Sequence, residues 1–523
     1  MVGRNHAIAC WLACVCGCSP HAIDVMLVHS RSLVPEDSFE RVTLRIEEAD
    51  GGRVVHEGSV RGAALASATT LFDAGDLREG SSYVAVLTAE APGVCGRGRA
   101  VGRSIPFVHE SGDYAVSIQV GCADAFTTTA GEPETPRLLH RLATSADGEA
   151  FLVGGARTWR FEPMAMMLGV EGITASVERY DPRTGRFVPG GLLVTPRLVP
   201  AVVALPEGGV GVAGGFAPPL CESSIELAQR LSTATAGSLA QPRCWPSAVW
   251  LPEAERVVVT GGQQVDTTTI FDRALDGEVY DGTLRTRVAD RMTGQSFRAT
   301  PRLVPLSDGR SALAVGGAGA FMPSPLVSRI VAGGACGEAA CTEPVPLDGG
   351  PATGLVNMAV TYVPCDGGGG AVYVLGGETG PDDEKIALDA VYCYRDLPGV
   401  AGEMVVAGRL PAKRTQAVAV TVGGSAGPRI LVVGGTASDS TMMNVLPYDD
   451  ALLLPANGCA CRAIDPTTVE HVPLPLDGLA VMHDATVLHD GAVLVVGGLR
   501  IAPDFMTATA TGESVLFVPD LAP

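Results

Sequence analysis

Along the last three quarters of the chain, short apolar runs recur, and each is closed by a pair of glycines. FLVGG ends at Gly154-Gly155, VGVAGG at Gly214-Gly215, VVVTGG at Gly261-Gly262 and ALAVGG at Gly316-Gly317. VYVLGG, ILVVGG and VLVVGG follow, ending at Gly376-Gly377, Gly434-Gly435 and Gly497-Gly498. Successive pairs lie 60, 47, 55, 60, 58 and 63 residues apart. Runs of this length, bounded by turn residues, predict buried β-strands. Before several of them stands a hairpin signal, as at Asp147-Gly148, Asp308-Gly309 and Asp490-Gly491, which makes each run the second of two antiparallel strands. Further upstream an arginine follows a proline at Arg137, Arg197, Arg243 and Arg302. Downstream, a β-rich segment carries Tyr180, Tyr280, Tyr392 or Tyr448 beside Asp or Cys. Each unit reads as strand, turn, strand closed by Gly-Gly, loop, strand, turn and short strand, and features recurring in phase predict a repeat architecture.

These residues resemble the kelch motif, whose repeats build β-propellers from four-stranded blades. The resemblance implies an all-β chain, with a seven-bladed kelch-type β-propeller over residues 124–520. Two features depart from the motif: its usual fourth-strand tryptophan is replaced by residues such as Phe187 and Met404, and the fifth and seventh units lack the upstream arginine. The last unit ends with a third strand at residues 514–520, so residues 125–130 are expected to supply its fourth strand and close the ring without an open edge. The glycine pairs are then steric requirements, where the chain turns among crowded backbones and needs positive φ and no Cβ. A phosphate-cradling role is excluded, because no Gly-Lys-Ser/Thr follows any pair and no helical pattern opens there.

Residues 23–122 lack glycine pairs and instead show alternating runs at 41–51, 82–91 and 114–122. Alternation broken by turns predicts a small antiparallel β-sandwich of immunoglobulin or fibronectin type, either a binding module or a spacer.

The net charge of -20 argues against nucleic-acid partners, which need clustered Lys and Arg. Residues 1–17 combine Arg4, an apolar run and small residues before Cys18, the layout of an export signal. Val15-Cys16-Gly17-Cys18 resembles a bacterial lipobox, which implies lipidation at Cys18 and an outer-membrane or cell-surface address, or secretion if the chain is not lipidated. Of the fourteen cysteines, Cys10, Cys14 and Cys16 fall in the leader and Cys18 is the anchor; the remaining ten suit disulfides in an oxidising compartment. Neighbours in sequence are the expected partners: Cys95 with Cys122, Cys221 with Cys244, Cys336 with Cys341, and Cys365 with Cys393. Cys459 and Cys461 are left for a strained short bridge or a metal site with His471.

The kelch resemblance also raises galactose-oxidase-like copper enzymes, which use Tyr, His and a Cys-linked Tyr around the channel. His483 stands at a copper-histidine position, but Met482 precedes it where those enzymes place a tyrosine. No catalytic set, cofactor or metal is expected from the residues, and acidic pairs such as Asp382-Asp383 fall in loops. The loops after the glycine pairs are long and carry Trp159, Phe161, Phe321 and Phe505, either contacts for a protein partner or plugs for the channel. The expectation is an envelope scaffold that binds a protein or an extracellular polymer. A copper oxidase is the rival, and a structural part of an envelope assembly is a third reading.

Overall fold

The computed structural model describes residues 23–29, 33, 38–64, 77–90, 92–110, 114–162, 167–264, 277–289, 292, 300–317, 327–337, 339–348, 354–380, 386–399, 402–425, 427–437, 447–475, 481–501 and 507–520. Cys18 and the leader lie outside them, as do Phe321, Phe505 and the Phe161 side chain. Among the described residues there is no α-helix, and no helix is long and apolar enough to cross a membrane.

Seven antiparallel four-stranded blades follow one another, the fifth extended by Leu347–Asp348, which pairs in parallel with Met404–Arg409. The first comprises Arg141–Thr144, Ala150–Val153, Ser176–Asp181 and Arg186–Leu192, hydrogen-bonded in that order. The second unit starts at Ala201–Ala204, the third at Ser247–Leu251, the fourth at Arg302–Pro305, the fifth at Ala359–Pro364, the sixth at Val418–Val422 and the seventh at Asp484–Val487. The innermost strand of each blade packs beside that of the next, and the seventh packs beside the first, so the blades form a closed ring. The seventh blade takes its outer strand from Ala125–Thr128, which pairs with Ser514–Val518, with Phe126 packed on Phe517. The closure expected from the sequence is therefore observed.

The second strand of a blade reads as a continuous apolar run because both its faces are covered. Ala150–Val153, Ser311–Val315 and Val493–Val496 are buried throughout. A separate hydrophobic cluster fills each gap between neighbouring blades, seven in all. At the end of these strands Gly154 has φ +64°, and an added Cβ would stand 2.5 Å from the Arg197 carbonyl of the next blade. Gly497 faces the Arg137 carbonyl in the same way across the ring closure. The glycine pair is thus where one blade's backbone leans on the next.

Residues 23–122 form a seven-stranded sheet in which every pair is antiparallel except Ile23–His29 with Tyr114–Cys122. Its apolar side buries Phe39, Leu44, Tyr83, Leu87 and Ile118 in one cluster. This sheet docks against the hairpin-turn end of the propeller. Asp124 accepts two hydrogen bonds from Arg429, at 2.8 and 2.6 Å, and Tyr180 donates to Gln119 at 3.2 Å.

All ten described cysteines are in disulfides. Three of the expected pairs form: Cys95–Cys122, Cys221–Cys244 and Cys336–Cys341. The fourth is corrected, because Cys365 joins Cys459 and Cys393 joins Cys461, with Cα atoms 4.8 and 5.7 Å apart. Cys365 follows the fifth blade's inner strand, in the hairpin turn, whereas Cys393 lies mid-strand opposite Tyr373 and buried in the cluster shared with the sixth blade. Sequence proximity misled here because neighbouring blades face each other. With both CAC cysteines in disulfides and His471 paired with Asp450, the metal alternative is removed.

Candidate functional site

Three rings of residues shape the end of the channel from which the long loops emerge. The first is a set of left-handed residues, one per blade: Leu139, Val199, Trp245, Thr300, Asn357, Gln416 and Met482, with φ between 44° and 56°. None is glycine, and their side chains share no type, so this ring had no signal in the sequence. A bulky residue in this region is strained and persists only where its surroundings hold it. Val199 donates its amide to the Leu139 carbonyl at 3.0 Å, Thr300 to Trp245 at 3.0 Å, and Gln416 to Asn357 at 2.9 Å, which links successive blades.

The residue after each left-handed position is a wedge: His140, Pro200, Pro246, Pro301, Met358, Ala417 and His483. It packs over its own blade's second glycine, as His140 does on Gly155, and also against the preceding blade's first glycine, as His140 does on Gly497. Four of the five other wedges are proline or alanine and one is methionine, so the histidines occupy places built for packing. His140 is 1% exposed. Burial, and then the charges of Arg137 and Arg141, hold its imidazole neutral, well below the usual range.

The next residue opens the innermost strand. Around the ring these are Arg141, Ala201, Ser247, Arg302, Ala359, Val418 and Asp484. Arg141 and Arg302 flank a cavity of about 150 Å³ whose lining between them includes Ala201, Ser247 and Pro301. The Ser247 hydroxyl donates to the Pro301 carbonyl at 2.6 Å. Arg302 keeps some exposure through the lumen, yet surrounding protein desolvates it. That burial, followed by repulsion from Arg141, pulls its guanidinium down to about 10. Asp484 sits at the same level and accepts from the Leu142 amide at 2.9 Å and from the Ala485 amide at 3.0 Å. Burial raises its pKa, against the pull of Arg141 and Arg302.

The upstream arginines expected from the sequence prove to be of two kinds. Arg137, Arg197 and Arg243, joined by Arg414, are buried within blades. They bind the carbonyl of the first glycine of the pair together with Glu178, Glu226, Glu278 or Asp450. Arg302 belongs to the channel instead, because it follows its blade's left-handed residue whereas the other four precede theirs. Of the four aromatic loop residues, Trp159 is the one whose side chain is described, and it takes the second of its two expected places, against the channel mouth. Trp159 is 5% exposed, buried under a small sheet in which Thr158–Glu162 pairs with Thr507–Ala510. That sheet joins the loops of the first and seventh blades over Leu139, Met482 and Trp245, so the loops pack on the channel mouth rather than offer Trp159 to a partner.

A copper centre of the galactose-oxidase kind does not fit these residues. His140 and His483 are wedges, Met482 packs in an apolar cluster, and no metal-holding group of three His, Cys, Asp or Glu residues occurs among the described residues. Within the propeller, the tyrosine hydroxyls with described bonds are engaged by protein groups: Tyr180 with Gln119, Tyr280 with Glu278, Tyr362 with Asp396, Tyr373 with Asn457 and Tyr448 with the Lys413 carbonyl.

No protein-family profile matches the chain, and no curated protein does. Among solved structures, the chain is similar to a fungal alcohol oxidase of the AA5 family, determined in complex with copper. The TM-score is 0.50 and the identity 16%, over 75% of each chain. This likeness supports the all-β propeller architecture. It also corrects the scaffold reading: a solved protein that shares the architecture is an alcohol oxidase, and the buried Trp159 removes one of the four aromatic contacts on which that reading leaned.

Proposed function

We propose that this chain acts on a small polar molecule admitted to its axial channel, as an oxidase-type propeller in architecture. The observation that carries this reading is the cavity at the loop end of the channel, where charged side chains from distant blades converge. Pockets in which a few polar groups meet in a preformed recess are the usual seats of small ligands. The likeness to an alcohol oxidase supports a small-molecule role, although fold alone does not assign chemistry. The test is a thermal-shift and calorimetric screen of the full chain against primary alcohols, sugars and small organic acids. Saturable stabilisation by one class, lost on filling the cavity with Ala201→Leu, is expected. Failure of every class, or binding unaffected by Ala201→Leu, overturns the reading.

The rival copper oxidase is favoured by the likeness alone. Metal analysis and hydrogen peroxide release decide it: copper well below one equivalent is expected, and stoichiometric copper with radical absorbance would put the oxidase in first place.

We also infer export, with lipidation at Cys18 and an outer-membrane or cell-surface address, and a kelch origin for the repeat. Support for export comes from the leader sequence and from the five disulfides, which persist in oxidising compartments. Mass spectrometry of the mature N-terminal peptide tests it, with acylated Cys18 as the expected result and an unmodified, uncleaved leader as the contrary one.

A further inference from the structure

The Asp484 carboxylate shows how this end of the channel holds an anion. The innermost strand of a blade has a hydrogen-bonded neighbour on one side only, so every second backbone N–H of its free edge points into the lumen. Asp484 fills such a place between the seventh and first blades, bound by the Leu142 and Ala485 amides. The same register recurs in the second, third and fourth blades. Leu142 lies opposite Leu152, Val202 opposite Val212, Ala248 opposite Val259 and Leu303 opposite Ala314. The residues preceding them on their strands differ. Where the seventh blade has Asp484, the second has Ala201 and the third has Ser247, two small side chains that leave the cavity open. Its flanks are Arg141 and Arg302, and neither has a carboxylate within ion-pair distance among the described residues.

The local charge is therefore two guanidinium groups against one carboxylate, inside a protein whose overall charge is -20. Like charges held together in a desolvated space favour any counterion that can enter it. Arginine pairs planar carboxylates in particular, through paired parallel N–H donors. A volume of about 150 Å³ admits a small organic anion together with water.

We propose that the cavity between Arg141 and Arg302 binds a small carboxylate-bearing molecule, its carboxylate bridging the two guanidinium groups against the edge amides of the second to fourth blades. This rests on the reading of the channel as the functional centre and names the class of ligand. Chloride, phosphate and neutral polyols are the competitors it excludes.

The experiment is calorimetry of the intact protein with sodium glycolate and sodium gluconate, run beside glycerol, phosphate and chloride at constant ionic strength. Saturable binding of a carboxylate is expected. Arg141→Gln and Arg302→Gln are each expected to weaken it roughly tenfold or more, while the surface variant Arg230→Gln leaves it unchanged. Asp484→Asn removes the competing negative charge and is expected to tighten binding; circular dichroism and melting curves confirm that each variant folds. Carboxylate affinity equal in the wild type and both arginine variants overturns the proposal, as does phosphate binding tenfold tighter than carboxylate. Glycerol binding that survives in the arginine variants but not in Ala201→Leu would leave the channel reading standing and sink the anion. Absence of all binding would sink both.

Discussion

Arg197 and Arg302 are both desolvated cations near the loop end of the propeller, and they differ in what faces them. Arg197 is fully buried, but Glu226, also fully buried, meets it, and the Ser224 hydroxyl accepts from it at 2.7 Å. The same pattern recurs at Arg137, Arg243 and Arg414. Arg302 and Arg141 face a lumen and each other. Buried charge is tolerated when it is paired and hydrogen-bonded, so the first set fastens the strands of a blade. The second set has no internal reason to be cationic, which is why it reads as a site. Carboxylates divide in the same way: Glu226 has its arginine, whereas Asp490, at the opposite end of the ring, is buried with only backbone donors close by and the charge of Arg103 beyond.

Breaking a fastened pair is expected to have the largest effect. Glu226→Ala leaves Arg197 buried and uncompensated, and should lower stability by about 3–5 kcal/mol, read from chemical denaturation; a loss under 1 kcal/mol would mean that the pairs do not hold the blades. Next comes the unmatched carboxylate. Burial pushes the Asp490 carboxyl up from 3.8 to about 6. The folded protein thus holds that proton to higher pH than the unfolded chain, so this group's penalty is fully present above pH 6, shrinks as pH falls, and vanishes below about pH 4. Asp490→Asn, which keeps an acceptor for the Ala492 amide, should raise stability by about 1–3 kcal/mol at pH 7.5 and by little at pH 4; a gain of the same size at both values would contradict the assignment. Gly154→Ala should cost about 2 kcal/mol, from a left-handed backbone and the neighbouring blade's carbonyl at 2.5 Å, measured as a lower Tm. The smallest change is expected for Arg302→Gln in anion-free buffer. Relief of repulsion offsets lost packing there, and stability should stay within about 1 kcal/mol of wild type. A loss as large as that of Glu226→Ala would erase the distinction between the two sets.

Much of the fold was legible because it depends on local pattern. Gly154 and Gly497 announce the ends of buried second strands, and Ala125–Thr128 has the pattern of the outer strand that it supplies to the last blade. The site was less legible. Arg302 looked like another member of the proline-arginine series, and only its place after the left-handed Thr300 separates it from Arg197. His483 suggested copper by its place in the last unit although Met482 before it spoke against that, and its equivalents Pro200 and Ala417 identify it as packing. Whether Trp159 was a contact or a plug was not legible, because its partners on Thr507–Ala510 come from the other end of the repeat array.

By itself, then, the sequence determined the strands, the number of repeats, the closing segment and the places where only glycine fits. Those follow from backbone sterics and from burial repeated within each unit. The tertiary structure alone decided that Cys393 meets Cys461, that Trp159 is covered, and that Arg141 confronts Arg302 across a cavity. These juxtapositions depend on which blades the closed ring brings face to face, and no local pattern in a single repeat carries that information.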